Sequence, residues 1–201
     1  MKQLKGDKGM KLKIAKIISI LSVVPIIALA LLTTLFKQHS YIFNNNFKWY
    51  IVAIIFLFIM PISAYGLKYI IPKYKDKGRD GERKLAFIMG VMGYIIGTII
   101  CILFNAPKSL TTIFLSYLLS GVVLTFVNKV IKLKASGHAC GVSGPMTLFI
   151  YFVGRKGWYA LIMLPIVFWS RIKMGRHTIK ELFAGTFVGI ISTSIVIFTY
   201  I

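Results

Sequence analysis

Apolar residues run along this chain in stretches longer than a soluble helix needs, and the polar residues collect between them. A helix crosses the hydrocarbon core of a bilayer in about 20 residues. On that measure the pattern predicts seven helices, at Ile14–Phe36, Trp49–Ile71, Leu85–Phe104, Leu110–Ile131, His138–Val153, Trp158–Ser170 and Glu181–Tyr200. The fifth and sixth are short, which in a bundle goes with tilting or with a polar cavity at one end. The expected fold is all-α, a polytopic membrane helix bundle of six to seven transmembrane helices. Residues 1–12 are expected to form a flexible basic tail, with residues 13–201 as one membrane-embedded domain. The first apolar run is too long for a signal peptide, and no small-residue cleavage site follows it. Gly93 and Gly97, and Gly185 and Gly189, have the small-xxx-small spacing of closely packed helices. Pro61 and Pro165 are expected to kink their helices.

Composition agrees with this setting: 57% of the residues are hydrophobic and the mean hydropathy is +0.79. The net charge of +20 would suit nucleic acid, but the basic residues flank apolar spans, so a nucleic-acid partner is not expected. Their distribution carries more than their sum. With seven spans, 20 of the 25 Lys and Arg residues fall on the side of the N-terminus, and so do all five acids. The positive-inside rule makes that side cytoplasmic, and the basic tail could touch anionic headgroups there.

Candidate chemistry is confined to a few residues. Cys101 and Cys140 lack metal-ligand spacing and read as small packing residues. Five acids supply no carboxylate cluster for magnesium, so neither a metal nor another cofactor is expected. Of three histidines, His39 has no evident partner and reads as a loop residue on the opposite side. His138 follows Ser136-Gly137, a helix start whose capping Ser and open backbone N–H groups suit an anion. His177 lies four residues before Glu181, the only acid after Glu82, and at that spacing a helical carboxylate reaches the ring. A carboxylate on one ring nitrogen leaves the other free as nucleophile or base. Basic residues of the 73–84 loop are candidates for holding phosphoryl oxygens.

The two histidine segments resemble the second and third motifs of the type 2 phosphatidic acid phosphatase superfamily, relatives of vanadium haloperoxidases. Ser136-Gly137-His138 resembles the second motif. Ser170-Arg171, five residues, His177, three residues and Glu181 has the spacing of the third, with Glu for the family's Asp. Downstream, Leu182-Phe183-Ala184-Gly185 resembles the stretch after that Asp. The first motif is unmatched; Lys77 to Arg83 is one residue short and leads into Lys84 rather than Pro. The stretch Glu82-Arg83-Lys84-Leu85-Ala86-Phe87 instead resembles a divergent prokaryotic branch. The resemblance spans Lys73 to Ile201 and implies a metal-independent phosphatase-like domain acting on a membrane lipid phosphate or an isoprenoid (di)phosphate. By the same resemblance His177 would form a phosphohistidine, Glu181 would orient it, and His138 would protonate the leaving oxygen. Arg171, Ser136, Gly137, Arg83 and Lys77 would bind phosphate. A phosphotransferase of the same superfamily and a non-catalytic lipid-binding membrane protein are the alternatives. A transporter is disfavoured, since no duplicated pair of broken helices stands out.

Overall fold

The fold is that of a computed structural model, which describes residues 2–200 and the side chains of 9–78 and 80–200. Among these residues the chain is helical throughout, with no strand. In order come α1 (Lys2–Leu21), α2 (Val24–Gln38), α3 (Phe47–Ile54), a π-helical turn at Ile55–Ile59, α4 (Met60–Leu67), α5 (Pro72–Lys75), α6 (Gly78–Leu103), α7 (Lys108–Lys129), α8 (Gly137–Val153), a 3-10 segment at Gly154–Ile162, α9 (Met163–Lys173) and α10 (Ile179–Tyr200). Five helical stretches are long and apolar enough to cross a membrane, and α1 with α2, bent by 60°, makes a sixth.

One of the five, Gly137–Lys173, is folded back on itself. Gly154 takes φ 71°, ψ −142°, a backbone open only to glycine, and ends α8. Gly157 then lies so close to α8 that a Cβ there would stand 2.6 Å from Ile150 Cα. His138 at the start of α8 and Arg171 near the end of α9 both reach Ser19, so the two ends meet. The described residues thus carry five or up to six candidate spans, against the seven the sequence pattern predicts, because the expected fifth and sixth helices are the arms of this one folded stretch. The result is an all-α polytopic bundle. Its outer surface is apolar, with Ile99, Phe126, Phe187 and Ile195 among the exposed side chains, as expected of helices in lipid.

Several boundaries differ from expectation. Residues 2–12 are helical, so the flexible tail is corrected to the first turns of α1; Met1 lies outside the described residues. The first predicted span is broken at Ser22–Val23, where Pro25 begins α2 without a backbone N–H to give. Pro61 does not bend its helix alone: the π-turn at Ile55–Ile59 precedes it and absorbs the ring. The expected 73–84 loop is helix except for Asp76 and Lys77, because α5 ends at Lys75 and α6 starts at Gly78. Pro145, inside α8, has no counterpart in the sequence reading.

Small residues set the helix spacing at one end. A Cβ on Gly185 would stand 2.3 Å from the Ser136 carbonyl oxygen, and one on Gly189 2.7 Å from that of Cys140. Thus α10 lies against α8 backbone to backbone, as the glycine spacing predicts. Gly93 and Gly97 do the same for α6, against the Phe56 carbonyl and the Phe114 ring. The main core lies toward the opposite end, where Phe43, Leu35, Leu110 and Phe114 are fully buried. His39 stands at that end, with its ring against Tyr41.

Candidate active site

The two histidines come together where the starts of α8 and α10 meet. Ser136 caps α8, its hydroxyl accepting from the Ala139 N–H at 3.4 Å. The Ser136 N–H donates in turn to the Glu181 carbonyl at 2.9 Å, so both helix starts share one tie. The preceding loop holds Lys132 and Lys134 at φ 60° and 53°, and Asn128 Nδ2 closes it onto the Ala135 carbonyl at 3.1 Å.

Glu181 does two things with one carboxylate. Its Oε2 accepts from the Thr178 N–H at 3.2 Å while Thr178 Oγ1 accepts from the Glu181 N–H at 3.3 Å. This reciprocal pair is a capping box, spelled Thr178-Ile-Lys-Glu181. The same Oε2 lies 2.9 Å from His177 Nδ1. Nδ1–H therefore donates to the carboxylate, and Nε2 keeps its lone pair. Burial holds the His177 pKa below the ordinary imidazole value, and the Arg171 charge lowers it further, against the opposing pull of Glu181.

His138 is fixed from a direction the sequence does not announce. Its Nε2 donates to the Ser19 carbonyl at 3.2 Å, which leaves Nδ1 as the proton-exchanging nitrogen. The Ser19 hydroxyl accepts from an Arg171 terminal nitrogen at 2.7 Å, and Ser170 Oγ donates to the Ala15 carbonyl at 2.7 Å. The face of α1 bearing Ala15 and Ser19 thus braces one side of the site, while Met10, Ile14, Ile17 and Leu21 are exposed on its far side.

A cavity of about 240 Å³ joins these groups; His138, His177, Gly137 and Arg83 line it. Beyond them its wall turns apolar through Val24, Pro145 and Leu148, and it reaches the lipid-facing surface at Tyr65 and Phe87. A second groove of about 380 Å³ opens beside it, where Asp80, Arg83, Lys84, Lys129 and again His177 line it together with Phe87 and Leu124. Arg83 is the side chain of the 73–84 segment that faces both spaces. Glu82, one residue away, pairs with Lys68 at the end of α4 and so fixes the start of α6.

The structure thus brings together His177, Glu181, His138, Gly137 and Arg83, with Ser136 buried as the cap beneath them. Arg171 joins the cluster from behind; it is 2% exposed and lines neither space. Lys77 is exposed at the N-cap of α6 and also lines neither. Cys140 is buried in the cavity wall and Cys101 lies in the core. Among the described residues no three His, Cys, Asp or Glu side chains group as metal ligands. Sequence reasoning passes over Ser19, which pairs across 119 and 152 residues, and over Thr178, although its capping-box spelling is a signal that can find it. No protein-family model matches the chain, and comparisons with curated proteins and with solved structures return no match either.

Proposed function

We propose that this protein is an integral membrane, metal-independent phosphatase that hydrolyses a lipid phosphate or isoprenoid (di)phosphate through a phosphohistidine. The carrying observation is that His177, oriented through Nδ1 by Glu181, shares with His138 and Arg83 a cavity that is basic at its mouth, apolar inside and open toward lipid. The resemblance to the type 2 phosphatidic acid phosphatase superfamily supports the same reading from sequence.

In this mechanism Arg83 and the Gly137 N–H neutralise the phosphoryl oxygens, which is most of what phosphoryl transfer asks of a protein. The His177 Nε2 lone pair attacks phosphorus; a P–N bond forms as the P–O ester bond breaks. His138, protonated at Nδ1, gives that proton to the departing alkoxide. Neutral His138 then takes a proton from water, whose oxygen attacks phosphorus and breaks the P–N bond. Arg171 supports the pair from behind through its charge and its hold on Ser19. The excess of basic residues at the site end favours a cytoplasmic site acting on an inner-leaflet substrate.

The test is phosphate release by purified protein in detergent with EDTA present, from phosphatidic acid, phosphatidylglycerol phosphate and polyprenyl mono- and diphosphates. Release that survives EDTA and disappears in His177→Ala supports the proposal. If folded protein releases nothing from any of them, the hydrolase reading is wrong.

A further inference from the structure

The cavity continues past the histidines to a tier of hydroxyl groups that the proposed chemistry does not use. Tyr117, Ser120 and Thr193 line it, each at least nine-tenths buried at 5%, 9% and 1% exposure. Their oxygens Oη, Oγ and Oγ1 have no hydrogen-bond partner among the described residues. Buried polar groups are nearly always partnered, and leaving one unpaired is costly. Thr186 and Ser116 show the usual outcome, each bonding a carbonyl four residues back. Ser192 Oγ is unpartnered too but lies outside the cavity, whereas these three converge on that one space from α7 and α10.

Their depth can be read from the helices. Leu124 touches the position a Gly137 Cβ would take, at 3.7 Å, and Ser120 lies one turn, about 6 Å, deeper along α7. Thr193 Oγ1 would stand 3.1 Å from a Cβ on Gly144, six residues or about 9 Å down α8 from His138. Tyr117 is three residues beyond Ser120. The tier therefore sits one to two helical turns below the histidines.

We infer that these hydroxyls bind the ester carbonyls of a diacylglycerol phosphate, which makes the substrate a glycerolipid phosphate rather than an isoprenoid phosphate. This rests on the phosphatase reading for where the phosphate sits. In a glycerolipid phosphate the nearer ester carbonyl carbon is five bonds from phosphorus, roughly 6 Å when extended, and the second follows one bond later. Ester oxygens accept hydrogen bonds that hydroxyls donate. An isoprenoid chain offers only hydrocarbon at that depth and leaves every one of these donors unpaired. The acyl chains leave past Tyr65 and Phe87, where the cavity reaches the lipid-facing surface.

The decisive comparison is diacyl phosphatidic acid against its dialkyl ether analogue, which keeps the phosphate and chains but lacks both carbonyls, with polyprenyl phosphate as a third substrate. Wild type is expected to favour the diacyl lipid over the ether in kcat/KM by about tenfold or more. Ser120→Ala with Thr193→Val should erase the preference by lowering diacyl turnover alone, and Tyr117→Phe should act in the same direction. Equal use of ester and ether lipids, or variants that depress all three substrates alike, overturns the inference. The same lipids are also compared by thermal stabilisation of His177→Ala in detergent, which needs no turnover. Selective stabilisation by the diacyl lipid with no phosphate release by wild type keeps the hydroxyl site and rejects the phosphatase. Absence of selectivity in binding rejects the hydroxyl site whatever the turnover.

Discussion

Glu181 holds His177 and caps α10 with the same oxygen, and two substitutions can pull these roles apart. Glu181→Gln keeps an amide oxygen that can accept from the Thr178 N–H, so the helix start is retained while the charge on His177 Nδ1 is lost. Glu181→Ala removes both. The Nδ1–Oε2 contact is 2.9 Å long between partly buried side chains, so it is a charge-assisted hydrogen bond. Its loss should cost about 1.5–3 kcal/mol of transition-state stabilisation, or roughly 10- to 150-fold in rate. A helix cap is worth about 1 kcal/mol, which in a chain of this size lowers Tm by about 2–4 °C. Glu181→Gln should therefore be slow and nearly as stable as wild type, and Glu181→Ala slow and measurably less stable. Phosphate release and thermal unfolding in detergent read the two effects separately. Because the carboxylate raises the His177 pKa against burial, NMR titration of labelled histidine should find the ring more acidic in Glu181→Gln. Full turnover in Glu181→Gln alongside a stability loss in Glu181→Ala would reduce Glu181 to a helix cap and refute the histidine–carboxylate pairing as a catalytic device.

Gly185→Ala places a methyl 2.3 Å from the Ser136 carbonyl oxygen; neither backbone can yield freely, so a loss of about 1–3 kcal/mol is expected in thermal unfolding, with turnover falling as the two helix starts separate. The depressed His177 pKa keeps Nε2 unprotonated into acid, so the acidic limb of kcat/KM set by this ring should lie below the ordinary imidazole value of about 6.5. A limb above that value contradicts the burial argument. The same sign governs stability: the unfolded ring binds its proton first, so the His177 contribution is present above about pH 6.5 and is lost as pH falls through the folded pKa. Arg83→Gln should lower kcat/KM about tenfold or more, as loss of a charged phosphate contact does, whereas Lys77→Gln should stay within about twofold because Lys77 lines neither space. Equal losses in both would mean that the 73–84 segment acts only through its summed charge.

What the sequence makes legible here is what depends on near neighbours. The long apolar runs mark the candidate spans, five or up to six among the described residues, because a bilayer's length is written into them; the short fifth and sixth runs fall within one stretch. The contact of His177 with Glu181 is as expected but its geometry is not: His177 lies outside α10, before the Thr178 cap, and Glu181 reaches back to it from the first turn. The glycines of α10 announce close packing by their spacing. Boundaries fare less well where a polar helix looks like a loop: the first turns of α6 are rich in charge, and only the Lys68–Glu82 pair and the packing of Leu85 show why they are helical. Ser19 is invisible from sequence, because a serine in an apolar run has no periodic signal and its partners lie far along the chain. Ser120 and Thr193 are hidden in the same way; among neighbours that bond their own helix, nothing local distinguishes a hydroxyl turned to a cavity. Lys77 shows the reverse case, in which suitable chemistry at a plausible spacing is carried by an exposed side chain that lines neither space.

The bond from Arg171 to Ser19 also bears on the order in which the protein can be made. Ser19 leaves the ribosome well before its partners: its carbonyl waits 119 residues for His138 and its hydroxyl 152 for Arg171. Through that interval the face of α1 bearing Ala15 and Ser19 lacks these partners, until α9 returns to cover it. The clasp then closes almost at once on α10, since Glu181 follows Arg171 by only ten residues. Catalytic competence on the proposed mechanism therefore arrives as a late, single event in biogenesis, and a chain interrupted just before α10 carries both histidines without a working pair.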